Sequence, residues 1–174
     1  MTVTVRKAEP KDANTLAHIG AKLFEQTFAG PIPEDAIATY IEESFGETQQ
    51  HQELMDPDIV SLLVESDGTT IGFAQVRKME IPVHSEDPAD VQLWRIYLDR
   101  QCHGSGIAQS VMKELGLLAR QMNATGIWLT VWEQNTRAFA FYRKFGFNPV
   151  GVQEFRTGDD VQMDTVLRAP PDAF

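Results

Sequence analysis

The residues with the clearest chemical potential lie in Cys102–Ser110, CHGSGIAQS, where Gly104 and Gly106 stand one residue apart ahead of an apolar run with helical spacing. The first amides of a helix lack intrahelical acceptors and sit at the positive end of its dipole. Glycine lets a ligand approach the backbone closely and lets the turn take unusual φ and ψ. At such a junction the amides of Gly104, Ser105, Gly106, Ile107 and Ala108 can face one anionic group, a phosphate above all. Two known phosphate motifs do not fit. No Gly-Lys-Ser/Thr follows the glycines, and the spacing is not Gly-x-Gly-x-x-Gly after an opening strand. Taken alone, the segment fits a plain chain reversal as well as it fits a phosphate cradle.

Further along, NTRAFAFYRKFGF puts Ala138, Phe141, Tyr142 and Phe145 on one helical face. Tyr142 is the odd member, because a buried phenol needs a hydrogen-bond partner; its plain role is that of a core tyrosine with a satisfied hydroxyl. Asn135 stands directly ahead of this helix, where an N-cap is the ordinary role. His18, His51 and His84 lack the spacing of metal ligands and suit a solvated surface, and the single Cys102 has no partner for an internal disulfide. No metal is expected.

These residues need elements to position them. The chain has 174 residues, of which 43% are hydrophobic and 23% charged, which suits one domain over residues 1–168 with a short tail over 169–174. A chain of this length buries roughly 70% of its unfolded surface. TVTVRKA alternates as a strand does. A helix follows Pro10 and ends at AGPIP. A second covers Glu34 to Ser44, and ETQQHQELMDP is a weaker third. IVSLLVES and IGFAQVRKM, joined by DGTT, form a hairpin, IPVHSEDPAD is a polar connection, and VQLWRIYLD is a strand. The helix after the glycines carries Ala108, Val111, Leu115, Leu118 and Met122 at three- and four-residue spacing. GIWLTVW is a strand, Gly146 ends the next helix, and a last hairpin turns near Gly158. The result is an α/β chain with a mixed sheet and a parallel crossover through the glycine-led helix.

Composition narrows the function. A net charge of −10 argues against nucleic acid as the main partner, since phosphate neutralisation needs a basic face. It agrees with a cationic substrate, and equally with simple solubility. No apolar run reaches the roughly 18 residues of a membrane span, and the N-terminus lacks the apolar segment of a signal peptide. A cytoplasmic protein with no membrane partner is expected.

WRIYLDRQCHGSGIAQSVMKEL, IWLTVWEQN and NTRAFAFYRKFGF together resemble the GCN5-related N-acetyltransferase (GNAT) superfamily. The family's pyrophosphate loop, Gln/Arg-x-x-Gly-x-Gly/Ala, is matched by His103-Gly104-Ser105-Gly106-Ile107-Ala108, with His103 departing at the first position. Gln101 to Gly106 also fits the formula. The signature Asn-x-x-Ala-x-x-Phe-Tyr-x-Lys-x-Gly-Phe is matched by Asn135, Ala138, Phe141, Tyr142, Lys144, Gly146 and Phe147. TYIEESFGE and TGDDVQMD further resemble the PaiA-type spermidine/spermine acetyltransferases. The resemblance implies a mixed, mostly antiparallel sheet of six to seven strands with about four helices and splayed central parallel strands.

It also implies acetyl-CoA as co-substrate, a primary amine, in particular a polyamine, as acceptor, and direct attack in a ternary complex. Backbone groups of Ile96, Tyr97 and Leu98 would pair with the pantetheine arm, His103 to Ala108 would cradle the pyrophosphate, and Asn135 and Lys144 would also serve the cofactor. Lys144 and Arg143 fit plain exposed helix cations too. Tyr142 would give a proton to the departing thiolate, since a phenol with pKa about 10 is protonated at neutral pH. The base is open among Glu25, Glu42, Glu43 and Tyr97, or a carboxylate acting through water. Glu25, Glu43, Asp159 and Asp160 are candidates for holding a polyamine's ammonium groups, though each also fits a solvated charge. A protein lysine or N-terminus, an amino acid or an antibiotic amine are alternative acceptors, and a non-catalytic CoA-binding module is a third reading. Members of the family often form homodimers.

Overall fold

The computed structural model describes residues 2–81, 87–157 and 160–174. His84, the centre of the polar connection and the turn at Gly158 lie outside the described residues. The chain forms two compact units, Met1–Gln75 with Arg95–Val111, and Val76–Trp94 with Met112–Phe174.

In the first unit, alternation makes Val3–Lys7 a strand, β1, paired antiparallel with β2, Ile59–Ser66. Helix α1, Ala13–Phe28, follows a single 3-10 turn over Pro10–Asp12. The Asp12 carboxylate accepts the Glu9 amide at 2.8 Å and the Arg6 guanidinium at 2.9 and 3.0 Å, and Arg6 holds its pKa down at about 2. Leu16, Ile19 and Leu23 recur at three and four along α1 with Phe24 beside them, so one stripe is apolar and buried. Helix α2, Glu34–Phe45, meets α1 closely: a Cβ on Gly20 would lie 2.3 Å from the Phe45 ring. Ile37, Phe45, Leu63 and Phe73 complete this core. The turn into β3, Thr69–Lys78, uses Asp67 and Gly68 at φ 48° and 81°, the positive pair that a tight two-residue hairpin needs.

ETQQHQELM is a full helix, α3, Glu47–Met55. Among the described residues there are five α-helices, in keeping with the expected fold. Its weak periodicity has a physical source, since the residues it buries are polar, Gln50 and Glu53.

Strand β4, Val91–Leu98, leads through the glycine loop into α4, Ile107–Gln121. The buried stripe of α4 is Ile107, Val111, Met112, Leu115 and Ala119, while Leu118 and Met122 are half-buried. In the second unit, β5, Ile127–Trp132, runs parallel to β4 through Val91↔Ile127 and Gln92↔Trp128, at the start of both strands. Helix α5, Thr136–Lys144, is closed by Gly146 at φ 77°. β6, Asn148–Thr157, and β7, Asp160–Ala169, form the last hairpin. Among the described residues the sheet has seven strands in the order β1-β2-β3-β4-β5-β7-β6. Residues beyond β7 are packed rather than loose. Phe174 stacks on Phe147 at 5.8 Å between centroids, and Arg120 donates to the Pro171 carbonyl. Among the described residues no helix is long and apolar enough to cross a membrane.

Candidate active site

Between β4 and α4 the chain turns on Asp99. Its amide donates to the Ile71 carbonyl at 2.9 Å, and its carboxylate accepts Lys22 at 2.9 Å and the Gln101 amide at 3.1 Å. Lys22 holds the Asp99 carboxyl below its ordinary range. A 3-10 turn over Arg100–Cys102 follows, then Gly104 and Gly106, both at positive φ, 81° and 83°. A Cβ at Gly104 would meet nothing within 4 Å, so backbone conformation rather than crowding asks for glycine there. Among the described residues the amides of Gly104, Gly106, Ile107 and Ala108 have no acceptor. The Ser105 amide differs from the expectation, because it closes the turn onto the Cys102 carbonyl at 3.3 Å and its hydroxyl turns to the same oxygen. Four amides, not five, are thus left for an anion at the start of a 15-residue helix, which fits a pyrophosphate. His103 is exposed at the loop's edge. Burial and the nearby Asp99 charge push the Cys102 thiol up, the opposite of what a nucleophile needs.

On β4, period-two alternation sends Arg95 and Tyr97 to one face and Ile96 and Leu98 to the other. Tyr97 is half-buried in a cluster of rings, 5.7 Å from Phe73, 6.2 Å from Phe24 and 6.4 Å from Phe28. Phe24 stacks on Tyr40 at 4.3 Å. Close packing on β3 is built in at Gly72, where a Cβ would come within 2.6 Å of the Tyr97 carbonyl. Glu25 on α1 and Glu42 and Glu43 on α2 are exposed, and their carboxylates have no partner among the described residues.

Below Arg95 lies a group that the sequence did not disclose. Its guanidinium donates to both Glu53 oxygens at 2.9 and 3.2 Å and to Gln75 at 2.7 Å, with both ion-pair side chains under 5% exposed. Gln75 also reaches Glu53 and Ser61, and Gln50 reaches Glu53 and the Ser44 carbonyl. No sequence signal marks this pairing, since Glu53 and Arg95 are separated by 42 positions.

In the second unit, Asn135 caps α5, accepting the Ala138 amide at 3.1 Å. Tyr142 is buried on this helix against Phe141 and Phe147, and burial raises its pKa. The phenol therefore keeps its proton throughout the neutral range. Lys144 and Arg143 are exposed, and Arg143 donates to the Phe147 carbonyl at 2.8 Å. Asp159 lies outside the described residues, and Asp160 is described as the first residue of β7. Among the described residues no group of three or more His, Cys, Asp or Glu side chains is gathered as a metal ion would need.

The chain matches the acetyltransferase (GNAT) family model over residues 23–147. It is 30% identical over 156 residues to an uncharacterized N-acetyltransferase of Mycobacterium tuberculosis, covering 90% of this chain and 96% of that one. It is 25% identical over 151 residues to the spermidine N(1)-acetyltransferase of Thermoplasma acidophilum, covering 84% and 89%. In fold it is similar to the crystal structure of the PaiA N-acetyltransferase of T. acidophilum in complex with coenzyme A, with TM-score 0.80, 23% identity and coverage of 98% and 99%. The matched span takes in β4, the glycine loop, α4, β5 and α5, and the chain belongs to the GNAT family of acetyltransferases, as an N-acetyltransferase with acetyl-CoA as its co-substrate.

Proposed function

We propose that this protein acetylates a small primary amine, in particular a polyamine such as spermidine or spermine, by direct attack of the amine on acetyl-CoA held at the same time. The observation that carries the donor side is the loop, where Gly104 and Gly106 sit at positive φ and the amides of Gly104, Gly106, Ile107 and Ala108 are unpartnered among the described residues. These amides hold the pyrophosphate, with His103 and Ser105 on the rim. The backbone of Ile96, Tyr97 and Leu98 lies along the pantetheine arm, and Asn135 and Lys144 support the cofactor. Holding donor and acceptor together supplies much of the rate. As the C–N bond forms and the C–S bond breaks, Tyr142 supplies the proton taken up by the departing thiolate.

The polyamine acceptor is supported by the spermidine N(1)-acetyltransferase among the relatives, by the net charge of −10, and by the exposed carboxylates of Glu25, Glu42 and Glu43. Glu25 and Glu43, with Asp159 and Asp160, attract the ammonium groups, and Glu42 or Tyr97 relieves the attacking amine of its proton. A free-thiol release assay with acetyl-CoA across a panel of amines tests this. Turnover with spermidine, spermine or putrescine is expected. Turnover confined to peptide N-termini, amino acids or aminoglycosides would overturn the polyamine acceptor.

A further inference from the structure

Three adjacent strands place a polar row on one face of the sheet. Asp164 on β7 lies directly opposite Trp132 of β5 on one side and Gln153 of β6 on the other. Directly opposed residues share a face, with Cβ atoms about 4.5–5.5 Å apart. The next row on that face is Thr130 and Val166, and Val166 is sealed into an apolar cluster with Trp128 and Ile81. The row therefore stands at the edge of a dry patch. On the other side of it come Phe155 and Gln162.

Two members of the row are incompletely satisfied. Asp164 is 8% exposed and has no ion-pair partner among the described residues; its polar neighbour is the Thr130 hydroxyl, and burial raises its pKa. The Gln153 Oε1 atom is buried without a hydrogen-bond partner. A buried acceptor left unpaired is costly, and a buried carboxylate without a cation more so. The cation nearest along the same face of β7 is Arg168, two rows away, and it lies 3.9 Å from Asp90 and over the Trp128 ring. A positive charge that carries several N–H donors satisfies both acceptors at once and, unlike a neutral donor, also compensates the carboxylate charge. The half-buried Trp132 completes the row with an aromatic face, which attracts such a cation.

We infer that Asp164, Gln153 and Trp132 form a subsite for a protonated amine of the acceptor substrate. The inference rests on the reading of the protein as an amine acetyltransferase. The ammonium donates to the Asp164 carboxylate and to the Gln153 carbonyl oxygen, and its charge offsets the cost of keeping Asp164 ionised. The subsite is specific for cationic amines, because a neutral apolar group would leave the Gln153 oxygen unpaired and the Asp164 charge uncompensated.

Steady-state kinetics of wild type, Gln153→Leu and Asp164→Asn, with spermidine or the best amine of the panel as the varied substrate, test this. Both variants should raise KM for the amine about tenfold or more, with KM for acetyl-CoA unchanged. Gln153→Leu is the decisive variant. Its amide oxygen accepts no hydrogen bond in the free protein, so a merely structural role predicts no loss of thermal stability and no change in KM. An active wild type whose Gln153→Leu variant keeps its amine KM within about twofold would overturn the subsite alone. A wild type that acetylates no amine at all would overturn the acetyltransfer reading beneath it. Should Asp164→Asn fail to fold, Gln153→Leu still decides.

Discussion

A phenol can act as an acid only while it holds its proton, and burial, by raising the Tyr142 pKa, favours the protonated form. Replacing it by Phe removes the hydroxyl and keeps the ring contacts with Phe141 and Phe147, so stability should hold while chemistry suffers. Tyr142→Phe should lower kcat on the order of 100-fold, with KM for acetyl-CoA little changed, as read by steady-state thiol release. Full turnover in this variant would remove Tyr142 from the acid role. At this scale the backbone geometry that local sequence dictates was legible. Gly104 and Gly106 declared a positive-φ turn ahead of a helix, and Asn135 declared a cap. The hydrogen bond by which the Ser105 amide closes a turn was not legible, because nothing in its neighbours signals it. Asp164 and Gln153 were missed because their meeting depends on strand register across β6 and β7, which no short-range spacing encodes.

Elements were legible where hydrophobic period was strong, as in α1, β2 and β5. They were less so in α3, whose buried residues are Gln50 and Glu53 and whose pattern therefore reads as polar. What α3 contributes is the carboxylate under β4. The Glu53–Arg95 pair, with Gln75 between them, fixes Arg95 on the strand whose next three residues are Ile96, Tyr97 and Leu98. Breaking one side of a buried pair leaves the other charge uncompensated, a loss of about 3–5 kcal/mol. Glu53→Ala should therefore be strongly destabilised in urea unfolding. The double variant Glu53→Leu with Arg95→Met should recover much of that loss, since an apolar replacement of both partners leaves no orphaned charge. A double variant as unstable as Glu53→Ala would show that packing, not charge, sets the cost.

For the molecule as a whole, composition narrowed the partners more than it described the shape. A charge of −10 agrees with the proposed cationic acceptor as well as with simple solubility, and the proposed cradle for the donor's phosphates is one of backbone amides rather than a basic patch. The C-terminal residues show the limit of reading ends as tails, because Phe174 stacks on Phe147 and Pro171 is buried. That packing is tertiary and has no local signature. The donor site is the centre of the account, and calorimetric titration of CoA into wild type and Gly104→Val tests it most directly. A Cβ at Gly104 meets nothing within 4 Å, so the variant alters the cradle without a Cβ clash in the fold, and its cost to the fold is backbone strain at φ 81°, at least about 1–2 kcal/mol for a side-chain-bearing residue. With circular dichroism confirming a folded variant, CoA affinity should fall about tenfold or more. Equal affinity in the two proteins would contradict the assignment of this loop as the pyrophosphate site.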